Sequence, residues 1–160
     1  MNRDEAVAAV HDANNDRAMM YLAMYRELLS RHGKQEAIDT LRAAFFQHGR
    51  GFGETLKSFA PGDFDGLYDA FAKSPDGGEM FSPQRESCDE KCMKIKFMTC
   101  PLQKAWRNAS VSDDELATLL YCASALDEGT MDAAGFDLDI QTWKPGETGC
   151  CKLSITQRGA

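Results

Sequence analysis

The 160-residue chain has no apolar run near the roughly 20 residues needed to cross a bilayer, so a membrane-spanning helix is not expected. Its N-terminus, MNRDEAVAAV, carries two early acids and no apolar stretch, which excludes a signal peptide from the reading. Positive charge is also scarce: 18 Lys and Arg face 25 Asp and Glu, a net of -7. That balance argues against a nucleic-acid backbone or an anionic membrane as partner. The motif inventory is equally sparse. There is no serine nucleophile elbow, no P-loop, no dinucleotide-binding glycine fingerprint and no HExxH pair among the three histidines.

What remains is ordinary globular composition, 43% hydrophobic and 27% charged, at a length that fits one domain. Six cysteines stand out. In a cytoplasmic protein, the location expected here, they read as thiols, metal ligands or nucleophiles rather than disulfides.

The chain divides at Ser74-Pro75-Asp76-Gly77-Gly78 into a helical half, residues 1–74, and a cysteine-bearing half, residues 79–160, of a single domain. Asp4 to about Arg31 has no Gly or Pro and is rich in helix formers; Gly33 ends it. A second helix is expected from Lys34 to Lys57, with Ile38, Leu41, Phe45, His48, Phe52 and Leu56 on its apolar face. His48 on that stripe is either a core residue or a member of a site. A third helix runs from Phe64 to Lys73.

Beyond residue 79 the period changes. Cys92 to Thr99 alternates, with Met93, Ile95 and Phe97 on one face and Lys94 and Lys96 on the other, which predicts a strand. Ser112-Asp113-Asp114-Glu115 caps a helix bearing Leu116, Leu119, Cys122 and Leu126 and ending at Asp127. Phe136 to Trp143 and Cys150 to Ile155 read as a long-looped hairpin, whose strand alternation puts Cys150 and Cys151 on opposite sides. The fold class is α+β, N-terminal helices packed on a small antiparallel sheet from the C-terminal half.

Among the cysteines, Cys88 and Cys92 are spaced for a metal pair, but Cys100 would lie roughly 26 Å from Cys92 along an extended chain. One tetrahedral ion cannot take both. Cys100 precedes Pro101 and so caps a helix, where unpaired N–H groups and the helix dipole favour the thiolate. Cys122, on an apolar helix face, is explained by packing alone. Asp127 at a helix end opposes the dipole, which points either to a role or, with Gly129 near, to a solvated C-terminal residue.

The order Cys100 with nearby Trp106, Cys122 with Asp127, then Thr142-x-x-x-Gly146-x-x-x-Cys150 resembles the L-2-amino-thiazoline-4-carboxylic acid hydrolase family over about Glu86 to Ile155. The resemblance implies hydrolytic opening of a small cyclic amidine-like ring, at a C–N or C–S bond, to a carbamoyl amino acid. It implies Cys100 as nucleophile, Asp127 as acid/base or amidinium partner, and His48 as an optional further catalytic residue. Arg50 or Arg107 would hold the substrate carboxylate, with Trp106 and Thr142 also in contact with substrate. Cys122 and Cys150 would be metal ligands or supporting thiols. The cofactor stays open, a divalent metal such as zinc being the candidate, and so does homo-oligomerisation. The competing class is a non-catalytic small-molecule or metal-binding sensor. An enzyme should bring Cys100, Asp127 and a further polar group to one void; a metal carrier should have Cys88 and Cys92 facing each other.

Overall fold

The computed structural model describes residues 2–73 and 76–159, so Ser74 and Pro75 of the expected boundary turn lie outside the described residues. Helix α1 spans Arg3–His32. Asn2 accepts from the Glu5 amide at 2.9 Å while the Glu5 carboxylate accepts from the Asn2 amide at 2.8 Å, satisfying two first-turn donors reciprocally. Helix α2, Lys34–Gly53, tightens into a 3-10 segment, Glu54–Phe59. The short helix α3, Phe64–Leu67, continues into a π-helical turn, Tyr68–Ala72.

Among the described residues the four strands are β1 (Pro83–Cys88), β2 (Cys92–Phe97), β3 (Phe136–Gln141) and β4 (Cys151–Gln157), with α4 (Pro101–Asn108) and α5 (Asp113–Ala134) between β2 and β3. They form one sheet in the order β1-β2-β4-β3, every neighbouring pair antiparallel. Helices from the first half and a sheet from the second therefore make the expected α+β arrangement. Met93, Ile95, Leu153 and Ile155 point from the sheet into a core that also holds Leu22, Leu41 and Leu116. No helix among the described residues is long and apolar enough to cross a membrane.

Strand β1 has no counterpart in the sequence reading. Its residues, Pro-Gln-Arg-Glu-Ser-Cys, show no apolar alternation because it is an edge strand, exposed along most of its length. Its register pairs Cys88 with Met93, while Cys92 pairs with Thr156 on β4. Cross-strand partners share a face, so Cys88 and Cys92 start from opposite faces of the sheet. The facing pair that a metal carrier needs is not formed.

The buried stripe of α2 also differs from the expected one. Its buried residues are Ala37, Leu41, Phe45, Gly49 and Gly53, and both His48 and Phe52 are exposed. The stripe follows small residues because α2 meets α5 backbone to backbone. A Cβ on Gly49 would stand 2.0 Å from the Leu126 carbonyl oxygen, and one on Gly129 would stand 2.0 Å from that of Phe46. His48, one residue before Gly49, is rotated about 100° off this seam and into solvent. The fully buried Thr130 hydroxyl stitches the seam, reaching the Gly49 carbonyl at 3.1 Å and the Leu126 carbonyl at 2.8 Å. Arg42 clasps Glu128 with both carboxylate oxygens at 2.9 and 2.7 Å, and Arg50 pairs with Asp132.

The same seam explains why α5 does not end at Asp127. Gly129 is a point of close approach rather than a stop, and the helix continues to Ala134 before Gly135 closes it in the left-handed conformation. Gly49→Ala is expected to cost on the order of 3 kcal/mol despite alanine's better helix propensity, because a backbone oxygen cannot move aside. Urea unfolding measures it; an unchanged midpoint would mean that the two helices part freely.

Candidate active site

Two crossings of the chain meet at one end of the sheet. Strand β2 stops at Phe97, and Cys100 then takes the N-cap position of α4 with Pro101 as the first helical residue. Strand β4 begins opposite, Phe97 pairing with Cys151, and the Cys150 amide donates to the Phe97 carbonyl at 2.9 Å. Cys100 and Cys150 are therefore brought together by strand register. Because β4 starts only at Cys151, Cys150 escapes strand alternation. Its sulfur lies 2.9 Å from that of Cys151, both being free thiols, and the two line one cavity rather than opposite faces.

That cavity holds about 290 Å³. Tyr21, Phe52, Phe71, Phe81 and Phe97 give it aromatic walls. Its polar groups include Cys100, Cys150, Cys151, Asp127, Arg17 and Asn14. A void of this size suits a small ligand, and mostly apolar walls with a few convergent polar groups are the usual make-up of a binding site.

The electrostatics separate the thiols. Hydrogen bonding from the Cys150 thiol holds Cys100 below the ordinary thiol range, helped by the backbone amides of Gln103 and Leu102; burial and the nearby Asp127 oppose it. The same interaction, with Cys151 adding to it and burial reinforcing it, pushes Cys150 well up, so Cys150 stays a thiol and donates. Burial raises Asp127 to about 7, the Glu128 carboxylate adding and the Arg17 guanidinium subtracting. The cavity thus combines a sulfur whose ionisation is eased with a carboxyl that keeps its proton to near neutrality. Groups in one cavity pushed in opposite directions mark it as a candidate functional site.

The remaining sequence candidates are dispersed. Cys122 is buried on another face of α5 and does not line the cavity; burial pushes it up to about 11, with Arg42 lowering and Asp39 raising it. His48 is exposed, and Arg50 is engaged with Asp132. Trp106 is fully buried, its indole N–H donating to the Ala18 carbonyl at 2.8 Å, which ties α4 to α1. Arg107 stacks over Trp143 with 4.8 Å to the ring centroid and lines an adjoining cavity that Cys100 also borders. Thr142 lines a third, bordered by Cys150, Cys151 and Lys96. Among the described residues no three His, Cys, Asp or Glu side chains group as a metal site would require, and Cys122 and Cys150 do not face a common void.

Sequence reasoning missed Asn14, Arg17 and Tyr21, which reach the cavity from α1. Their spacing of three and four places them on one helix face, beside buried Ala18 and Leu22. That periodicity was visible, but polar members on a core-facing stripe carry no mark of their own.

The geometry defines an α+β protein with a cavity lined by thiols and by a carboxyl that burial pushes toward its protonated form. The chain belongs to the L-2-amino-thiazoline-4-carboxylic acid hydrolase family, whose model matches residues 13–152, nearly its whole length. Comparison with curated proteins and with solved structures found no match. The family is one of hydrolases of a thiazoline ring, so a small-molecule substrate goes with it.

Proposed function

We propose that the aromatic cavity is the active site of a thiazoline-ring hydrolase in which Cys100 is the nucleophile and Asp127 the proton donor. The observation that carries this reading is the meeting of the two in one void with opposite proton preferences. The ring carbon flanked by nitrogen and sulfur is the electrophile. Cys100 thiolate adds to it, the ring C–S bond breaks, and the departing sulfur takes the Asp127 proton as a free thiol. The substrate is then an isothiourea on Cys100. Water attacks that carbon, Asp127 carboxylate takes a water proton, and the C–S bond to Cys100 breaks, returning thiolate and acid. The product is a carbamoyl amino acid with a free thiol, formed from substrate plus one water. Cys150, held as a thiol beside Cys100, stabilises the sulfur anion that is consumed and regenerated. Such chemistry needs reduced sulfur, which fits the cytoplasm.

Incubation of the purified, reduced protein with 2-amino-thiazoline-4-carboxylate tests the reading. One new thiol per ring opened, titrated with a chromogenic disulfide, is the expected result. Ring loss without thiol release would indicate C–N cleavage and remove the C–S assignment; no turnover at all would remove the function.

A further inference from the structure

We propose that Arg17, braced by Asn14, is the carboxylate anchor of the cavity and makes the protein selective for acids; this rests on the reading of the cavity as a substrate site. The guanidinium stands out among the protein's arginines. Arg3, Arg26, Arg31, Arg42, Arg50, Arg85 and Arg158 each pair with a carboxylate, and Arg107 stacks on an aromatic ring. Among the described residues Arg17 instead donates to an amide oxygen, Nη2 to Asn14 Oδ1 at 2.6 Å, and not to a carboxylate. Asn14 is itself fixed, its Nδ2 donating to the Val10 carbonyl at 2.9 Å. The Nε of Arg17 is buried without a hydrogen-bond partner.

A buried guanidinium N–H left unpaired is costly, and a chain with 25 acidic residues had many ways to supply a partner. The one carboxyl sharing the cavity is Asp127, and no ion pair joins the two among the described residues. Arg17 lines the cavity, and the planar fork of its guanidinium is the geometry that receives a carboxylate. With Arg17, Cys100 and Asp127 lining the same cavity, a carboxylate held by the guanidinium would place the amidine ring beside the sulfur and the acid.

Two measurements test it, one of them independent of turnover. Cys100 is alkylated with iodoacetate or with neutral iodoacetamide, each displacing iodide, and its modification is followed by peptide mass spectrometry. Anchoring of the reagent's carboxylate should make the iodoacetate-to-iodoacetamide rate ratio at Cys100 about tenfold higher in the wild type than in Arg17→Ala. Arg17→Lys, which keeps the charge and loses the fork, should fall between. If Arg17→Ala does not fold by circular dichroism, Arg17→Lys and Arg17→Gln decide by the same ratio. A ratio unchanged in every folded variant overturns the proposal. In turnover, the wild type should prefer 2-amino-thiazoline-4-carboxylate over 2-amino-thiazoline, and Arg17→Lys should shrink that preference mainly through KM. Equal preference in both proteins would also overturn it. If neither compound reacts in any protein, the hydrolase reading fails while the alkylation ratio still judges Arg17.

Discussion

Cys100→Ser is expected to lower ring hydrolysis by about 10³-fold or more, with little loss of stability. Serine is a good N-cap, so α4 should still start at Pro101. What disappears is the anion: a hydroxyl in the same place stays protonated at any pH the protein tolerates. Labelling with iodoacetamide near neutral pH should reach Cys100 well before Cys122, because hydrogen bonding favours one thiolate while burial penalises the other. Cys122→Ser should behave oppositely, keeping activity per folded molecule and costing about 1–3 kcal/mol for a buried hydroxyl without a partner. Equal labelling of the two thiols, or full turnover by Cys100→Ser, would remove the nucleophile assignment.

Asp127→Asn should separate activity from stability. Loss of the proton donor is expected to cost about 10²–10⁴-fold in rate. Stability should change the other way above neutrality. The carboxyl titrates at about 7 in the fold against an ordinary 3.8, so the folded state holds the proton more tightly than the unfolded chain. The stability this contributes is complete below pH 3.8 and is lost as pH rises through 7. From this residue alone, the wild type should be less stable at pH 8 than at pH 4, by on the order of 2–4 kcal/mol. Asparagine cannot ionise, so urea unfolding of Asp127→Asn should lack that slope and leave the variant the more stable protein at pH 8. The alkaline limb of the wild-type pH–rate profile should fall near 7 and be absent from the variant's residual activity. A wild-type stability that stays flat between pH 5 and 8 relative to the variant would mean that Asp127 is already ionised in the fold.

Local signals in the chain were readable where local physics decides the outcome. Pro101 after Cys100 announces an N-cap, Ser112 with Glu115 announces another, and the alternation of Met93, Ile95 and Phe97 announces a strand with one buried face. Cys100 and Cys150 drew notice because thiols are scarce, whereas Asp127 drew notice as a helix-end acid although it lies inside α5. What failed was set by partners distant in sequence. His48 was put on the buried face because apolar periodicity ignores glycine, yet glycine is what α5 rests on. Asp127 was read as a helix end for the same reason. Strand β1 owes its existence to the edge of β2 rather than to its own pattern. Arg17 looks like any surface arginine until α1 is laid over the cavity.

The glycine seam also decides what can vary in this protein over evolutionary time. With no side chains between α2 and α5 at Gly49 and Gly129, the relative height of the two helices is read from one backbone by the other. Asp127 sits inside that stretch, next to Leu126, so its depth in the cavity is inherited from the seam and not from the volume of the surrounding side chains. Exchanging Phe52, Phe71 or Phe81 is therefore expected to reshape the cavity while leaving the position of Asp127 unchanged. The shape of the cavity and the position of its acid are thus set by separate parts of the fold.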